Sequence, residues 1–325
     1  MSKKKFDAAL TLDGKTFYEG QVDNNLEAIT LFFQELKEKF QFSFSQLIVC
    51  VEHTGIYCNP LLEFTVTKKV NICVEPAMQI KQSQGMTRGK SDQIDARRIA
   101  LYAYRNLQEL RFWRPQREVI QKIKALLVVR ERLVKTRVQL KTPLNETGEF
   151  IGKSIRKIII NSCQKTLASL KADVLKIEKA IDEVIAQDEQ LSGTVRFATS
   201  VPGIGKITAL NVIVTTGEFV RIKEGKKFAC YTGVAPFEHR SGSSIRGKTR
   251  VSKMANMTLK KLLHLSAMSA IQCSEEMKQY YNRKVGEGKN KMSVINAVRN
   301  KLISRVFACV QNQRMYEKVY QHELA

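Results

Sequence analysis

Hydrophobic and polar positions change period along the chain, and the changes mark out its elements. Phe6–Leu12 and Thr16–Val22 read as extended strands joined by Asp13-Gly14, a strong hairpin signal. Over Asn25–Phe40, Ile29, Phe32, Phe33, Leu36 and Phe40 recur at helical spacing. Gln46–Glu52 is nearly all apolar, as suits a strand buried on both faces. Asn59–Lys68 is predicted helical, and Val70–Glu75 is another buried strand, stopped by Pro76. Ser91 is placed to cap a helix running to Tyr104. Strands alternating with helices predict an α/β region with a partly parallel sheet.

After Pro115 the texture becomes helical and basic. From Gln116 to about Lys141, Ile120, Ile123, Leu127, Val134 and Val138 fall near one face, and Pro143 and Gly148 are expected to interrupt the helix. Ile160, Cys163, Leu167, Leu170, Val174, Ile177, Ile181 and Val184 then repeat at spacings of three and four, an a/d seam over more than three heptads. Such a seam serves either a hairpin with the preceding helix or a coiled coil between protomers, and spacing does not choose between them. Val201-Pro-Gly-Ile-Gly205 sits between the helical patterns Thr194–Ser200 and Lys206–Val214. Lys226–Pro236 follows, then a Gly-, Ser- and Arg-rich stretch, His239–Met254, read as a loop. Leu259–Ile271 and Ser293–Gln313 close the chain as helices.

Charge changes the picture. The 325 residues carry 54 Lys plus Arg against 31 Asp plus Glu, a formal net charge of +23. A polyanion best neutralises such a surplus, so nucleic acid is the first candidate partner and an anionic membrane surface the second. The 43% of hydrophobic residues exclude global disorder. No run nears the ~20 consecutive apolar residues of a membrane span, and no apolar segment follows the basic start Met1-Ser-Lys-Lys-Lys5. No membrane role is expected, and the chain is placed in the cytoplasm. Seven scattered cysteines without a Cys-x-x-Cys pair point to reduced thiols rather than disulfides or zinc.

Three groups of residues could carry chemistry. Glu52 ends a buried strand, and Asp92 and Asp95 share one face of a helix's first turn. Carboxylates gathered at a sheet edge would suit Mg²⁺ or Mn²⁺. The plainer alternative is helix N-terminal charge for the two Asp, with Glu52 paired to Arg97 or Arg98. Pro202-Gly203-Ile-Gly205 followed by Lys206 has the form of a helix-hairpin-helix phosphate contact, or of an ordinary tight turn. Ser241-Gly-Ser-Ser-Ile-Arg246-Gly-Lys248-Thr-Arg250 interleaves hydroxyls with cations. It suits a serine that attacks a DNA phosphate beside charges that stabilise the transition state, or a phosphate-binding loop without chemistry.

Taken together and in order, these motifs resemble the DEDD-type insertion-sequence transposases of the IS-one-ten type. Val51-Glu52-His-Thr-Gly55-Ile-Tyr57 is similar to their "E-x-T-G-x-Y" block. Lys90-Ser-Asp92-Gln-Ile-Asp95-Ala-Arg97 and Pro202-Gly-Ile-Gly205 resemble two further blocks. So does Tyr231-Thr-Gly-Val-Ala-Pro236, running into Ser241–Gly247 and Ser252-Lys253. The resemblance covers nearly the whole chain. It implies a RuvC-like (ribonuclease-H-like) α/β domain over 1–112 and a helical coiled-coil linker over 113–192. A mainly α transposase domain with a helix-hairpin-helix would span 193–325. The implied enzyme is a recombinase that moves its own element, acting on donor and target duplex DNA as a dimer or tetramer, with a structured bridge RNA as guide. Glu52, Asp92 and Asp95 are then metal ligands and Ser241 the nucleophile, with Ser243 and Ser244 ranked lower. Arg246, Lys248, Arg250 and Lys253 join Pro202, Gly203, Gly205 and Lys206 as nucleic-acid contacts.

One departure stands out. The family opens with a strand of the form "G-I-D-x-S-K", and Met1–Asp7 aligns with the residues after that Asp. The first of four carboxylates is therefore missing from the chain as written. A start assigned too late, a truncated inactive copy, and substitution by Asp7 or Asp13 are the three explanations. The alternative functions are a nucleic-acid binder without catalysis and a metal-dependent junction resolvase that does not use the serine.

Overall fold

The computed structural model describes residues 1–85, 91–146, 150–241, 245–251 and 255–317. They divide into two compact units, Met1–Pro115 and Gln116–Ala325. The described residues are mostly helical, with three two-stranded sheets.

In the first unit, β1 (Lys5–Leu12) and β2 (Lys15–Asp23) form an antiparallel hairpin turning at Asp13-Gly14, where both residues have positive φ. Helix α1 (Leu26–Phe40) starts at Asn25, whose side chain accepts from the Ala28 amide, and buries Ile29, Phe32, Phe33 and Leu36. Strand β3 (Ile48–Glu52) leads through a 3-10 turn, Gly55–Cys58, into α2 (Asn59–Thr67) and β4 (Asn71–Glu75). Strands β3 and β4 pair in parallel, as the alternation of elements predicts. Helix α3 (Ala77–Ser83) follows, and α4 (Asp92–Arg105) starts where Ser91 accepts from the Ile94 amide. One core holds Phe6, Val22, Ile29, Phe33, Val51, Phe64 and Ile72, with Phe33 and Phe64 stacked at 4.6 Å between centroids.

The single partly parallel sheet expected here is two separate ladders, joined by packing rather than hydrogen bonds. Helix α4 packs on both β1 and β3. The far edge of β4 is bridged by Phe112, and Trp113 N donates to Ile72 O at 2.7 Å.

In the second unit, α5 (Glu118–Glu146) and α6 (Lys153–Ala186) pack on each other. The a/d seam of α6 therefore meets α5 of the same chain, with Arg130 bonded to Glu178 at 2.7 Å. Ile120, Ile123, Leu127, Val174 and Ile181 are buried at the proximal end, whereas Val138, Ile155 and Ile158 are exposed further out. Pro143 does not interrupt α5. It lies in the last turn, where a missing N–H costs one hydrogen bond and no following helix is lost. At the base, the Arg117 guanidinium bonds Asp188 (2.8 and 3.1 Å) and Glu218 (2.5 and 2.9 Å).

Then come α7 (Glu189–Thr199), α8 (Lys206–Thr216) and α9 (Gly225–Tyr231). Strands β5 (Pro236–Ser241) and β6 (Ile245–Val251) form an antiparallel ribbon. This corrects the loop expected over His239–Met254. Helix formers are scarce there, but Ile245, Thr249 and Val251 alternate with Arg246, Lys248 and Arg250, which is a strand period. Helices α10 (Met257–Cys273), α11 (Glu275–Gly286) and α12 (Lys291–Gln311) complete the unit. Val195, Leu210, Ile213, Phe228, Leu263, Val298 and Leu302 lie in its core.

Candidate active site

Glu52 is the last residue of β3, half-buried, and stands in register with Glu75, the last residue of β4. Alternation assigns Cys50, Glu52, Cys73 and Glu75 to one face of the pair, while Val51 and Ile72 on the other enter the core. Helix α4 covers the first face. Its Tyr102 hydroxyl accepts from Gln79 at 2.8 Å and is held above the ordinary phenol range by burial and by the nearby Glu75, Cys50 and Cys73. A hydrogen bond with Cys73, then burial, pushes the Cys50 thiol up, so it stays protonated and unreactive. Asp95 and Tyr102 are seven residues apart and so share a face of α4. Asp92 and Asp95 occupy its first turn, Asp92 exposed and Asp95 half-buried.

The pairing of Glu52 with Arg97 or Arg98 does not form. Arg97 is bonded to Glu19 on β2, with Nη2 at 2.6 Å from Oε2, and Arg98 donates to Asp95 at 3.1 Å. The Arg97–Glu19 contact sets the phase of α4 against the hairpin, while Arg98–Asp95 lies within α4. Asn24, just after β2, donates to Ser2 O at 2.8 Å and to Tyr57 O at 2.9 Å, so the start of β1 and the turn after Glu52 meet at one end of the unit. Asp13 lies at the other end. A Cβ at its neighbour Gly14 would stand 3.3 Å from the Tyr104 ring, and Tyr104 is about 18 Å along α4 from Asp92. Asp13 therefore does not join Asp92 and Asp95. Asp7 is two residues before Ala9, the partner of Glu19, and so lies toward the Asp92 end; its carboxylate accepts weakly from Gln21 at 3.5 Å.

For a divalent cation this donor set is right in kind, since hard cations take all-oxygen ligands. The set is not gathered: among the described residues no three His, Cys, Asp or Glu side chains stand close enough to hold an ion.

In the second unit Ser241 ends β5 opposite Ile245, the first residue of β6. Arg246, Lys248 and Arg250 occupy alternate positions of β6. Ser243, Ser244, Ser252 and Lys253 lie outside the described residues. The ribbon is tied down at its base. Asn256 N donates to Tyr231 O at 3.1 Å, and Asn296 Nδ2 donates to Val234 O at 2.7 Å. Beside Asn296, Arg299 is buried and bonds His264 Nδ1 at 2.6 Å, with no carboxylate partner among the described residues. Burial and the Arg299 charge hold the His264 imidazole below its ordinary range, so it accepts as the neutral ring. Sequence reasoning missed Glu75, His264, Asn296 and Arg299. Glu75 was legible in principle, as a second Glu ending a second apolar strand.

The turn between α7 and α8 separates its two glycines by role. Gly203 has φ +86°, and a Cβ there would come within 2.5 Å of Ser266 O and 2.7 Å of Ala270, so packing against α10 requires a glycine. Gly205 precedes α8 with an ordinary φ of −83°, and a Cβ there would meet nothing within 4 Å. Lys206 bonds Asp182 at 2.5 Å.

Residues 1–147 match a DEDD-type transposase family of the IS110 group, and residues 195–282 match the transposase IS116/IS110/IS902 family. The chain is similar along its length to the pilin gene-inverting proteins of Moraxella lacunata and Moraxella bovis, at 23% identity over 329 residues, covering 98% of this chain and 96% of each relative. It is 26% identical over 198 residues to the transposase for insertion sequence element IS1111A of Coxiella burnetii, covering 54% of this chain and 53% of that protein. Matches in both units, in the order of the motifs, define a DNA transposase. The chain belongs to the IS110/IS116 family of insertion-sequence transposases. Its DEDD domain implies a ribonuclease-H-like N-terminal region and dependence on a divalent metal. No described helix is long and apolar enough to cross a membrane.

Proposed function

We propose that this transposase cuts and rejoins DNA with Ser241 as nucleophile, while Glu52, Asp92 and Asp95 hold Mg²⁺ or Mn²⁺. Attack of the Ser241 hydroxyl on a phosphodiester forms a phosphoserine ester, and the proton leaves with the released sugar oxygen. Reverse attack by another sugar hydroxyl rejoins a strand, so the bond energy is kept and no ATP is needed. The cation, when bound, supplies charge stabilisation to the phosphoryl oxygens. Arg246, Lys248, Arg250 and Lys253 add positive charge beside the serine. One observation carries the reading: a serine ends one strand of a ribbon whose facing strand bears three cations at alternate positions, in a chain with the family's carboxylate blocks.

The wider reading follows the same support. Residues 1–112 form the RuvC-like domain, 113–192 a coiled-coil linker and 193–325 the transposase domain. Pro202, Gly203, Gly205 and Lys206 act as a helix-hairpin-helix contact to a nucleic-acid backbone. The net charge of +23 supports donor and target duplex DNA together with a structured guide RNA as partners, on the nucleoid in the cytoplasm. Exposed Val138, Ile155 and Ile158 on the outer part of α5 and α6 support a homo-oligomer, dimer or tetramer, joined there.

A second reading, a nucleic-acid binder without catalysis, is favoured by the ungathered carboxylates. The test is strand cleavage and DNA binding measured side by side. Asp92→Asn and Asp95→Asn are expected to lower cleavage at least about a hundredfold, with binding within about threefold of the unaltered chain. Equal loss of both would make the two residues structural, and no cleavage by the unaltered chain would favour the binder.

A further inference from the structure

The first unit carries an open pocket of about 340 Å³ where the end of α2 meets the chain that passes β4. Val66, Val70, Ile72 and Trp113 make it apolar, and Lys69 and Arg114 bring two positive charges. Alternation puts Ile72 on the face of β4 away from Glu75, so the pocket is separate from the candidate acids. Helix α2 ends there in a Schellman turn, with Val70 N donating to Thr65 O at 2.8 Å and Lys69 N to Val66 O at 3.3 Å. The turn sets Lys69 at φ +55°, a conformation that glycine adopts freely and lysine only at a cost. The chain thus keeps a cation where its backbone favours a glycine. Across the pocket, Trp113 is half-buried and fixed through its backbone, whose N–H donates to Ile72 O. Among the described residues, no side-chain hydrogen bond or ion pair engages Lys69, Trp113 or Arg114.

We propose that this pocket takes one unstacked nucleotide of a single strand, its base against Trp113 and its phosphates paired with Lys69 and Arg114. An aromatic ring gains from a stacked base whatever the sequence, and two unengaged cations gain from the phosphates beside it. The volume lies at the small end of ligand pockets, the size for one nucleotide rather than a folded partner. A duplex keeps its bases stacked, so the occupant is a strand opened during rejoining or an unpaired stretch of RNA. The proposal rests on nucleic acid as the partner of this chain, and not on the serine or the metal.

Trp113 is the only tryptophan in the sequence, so its fluorescence reports on this pocket. Hexathymidylate and hexauridylate would be titrated into the full-length chain, with overall binding read from the anisotropy of a dye on each oligonucleotide. Quenching of the Trp113 emission is expected, and the stronger quencher tells whether the strand is DNA or RNA. Heparin, a polyanion without bases, should bind and leave the emission unquenched. Lys69→Gly and Arg114→Gln are each expected to weaken the quenching titration about threefold or more and to lower its salt slope by about 0.7, the share of one phosphate on a single strand. Lys69→Gly also relieves the backbone, so weaker quenching in that variant does not come from lost folding. Quenching by heparin equal to that by the oligonucleotides, or quenching unchanged in both variants, overturns the proposal. Oligonucleotide bound with the emission unchanged also overturns it and leaves nucleic acid standing as the partner. No binding of either oligonucleotide overturns that partner reading and this proposal with it.

Discussion

In the first unit the candidate acids lie on regular elements whose orientation is set from the opposite side. Val51 and Ile72 fix the faces of β3 and β4 by entering the core, and Glu19 on β2 fixes the phase of α4 through Arg97. In the second unit Ser241 ends a two-stranded ribbon, secured at its base by Asn256 and Asn296 to backbone carbonyls. The contrast teaches where each half of the chemistry is vulnerable. The acids depend on register and helical phase, so they tolerate changes of charge without loss of fold. The serine depends on how firmly the helical body grips the ribbon, so changes to that body should reach it indirectly.

The sharpest break of this contrast uses the two glycines before α8. Gly203→Ala is expected to destabilise the chain by about 2–4 kcal/mol, because it forces a side chain at positive φ against Ser266 O and Ala270. Gly205→Ala should leave stability within about 0.5 kcal/mol, since its φ is ordinary and its surroundings open. Urea unfolding checks both, and nucleic-acid affinity of Gly205→Ala checks whether a phosphate approaches that backbone. Similar stability losses at the two positions would remove the distinction.

A smaller effect concerns the grip itself. The folded His264 ring takes up a proton less readily than the unfolded one, so the unfolded chain binds more protons as pH falls below about 6.5. Stability contributed by the neutral ring is full above that value and declines as pH falls toward the lower folded value. The decline is at most about 1.4 kcal/mol per pH unit. Unfolding followed at pH 7.5 and 5.5 should show this decline, reduced in His264→Gln. An unchanged decline in that variant would place its origin elsewhere.

Most elements were legible in the sequence because local signals and burial agree. Ser91 caps the helix it was predicted to cap, the helical period from Asn25 to Phe40 forms α1, and Asp13-Gly14 turns the first hairpin. The ribbon carrying Ser241 was not legible as strands, since glycines, serines and cations outweigh its short alternation of apolar residues. Helix α11 was also unread: only Met277 is buried along it, so its apolar period is faint. The placing of Glu75 beside Glu52 needs the parallel register of β3 and β4, which no residue in either strand announces. The Arg299–His264 pair joins residues 35 apart on two helices, a distance at which spacing carries no information.

The central claim is that Ser241 attacks DNA, and the most direct measurement traps that bond. The full-length chain would be incubated with Mn²⁺ and donor DNA, denatured, and the covalent adduct digested and mapped by mass spectrometry. The account predicts a nucleotide on the peptide containing Ser241, absent from Ser241→Ala while cation and DNA binding persist. Strand cleavage without any adduct, undiminished in Ser241→Ala, would contradict it and leave a metal-dependent nuclease in its place.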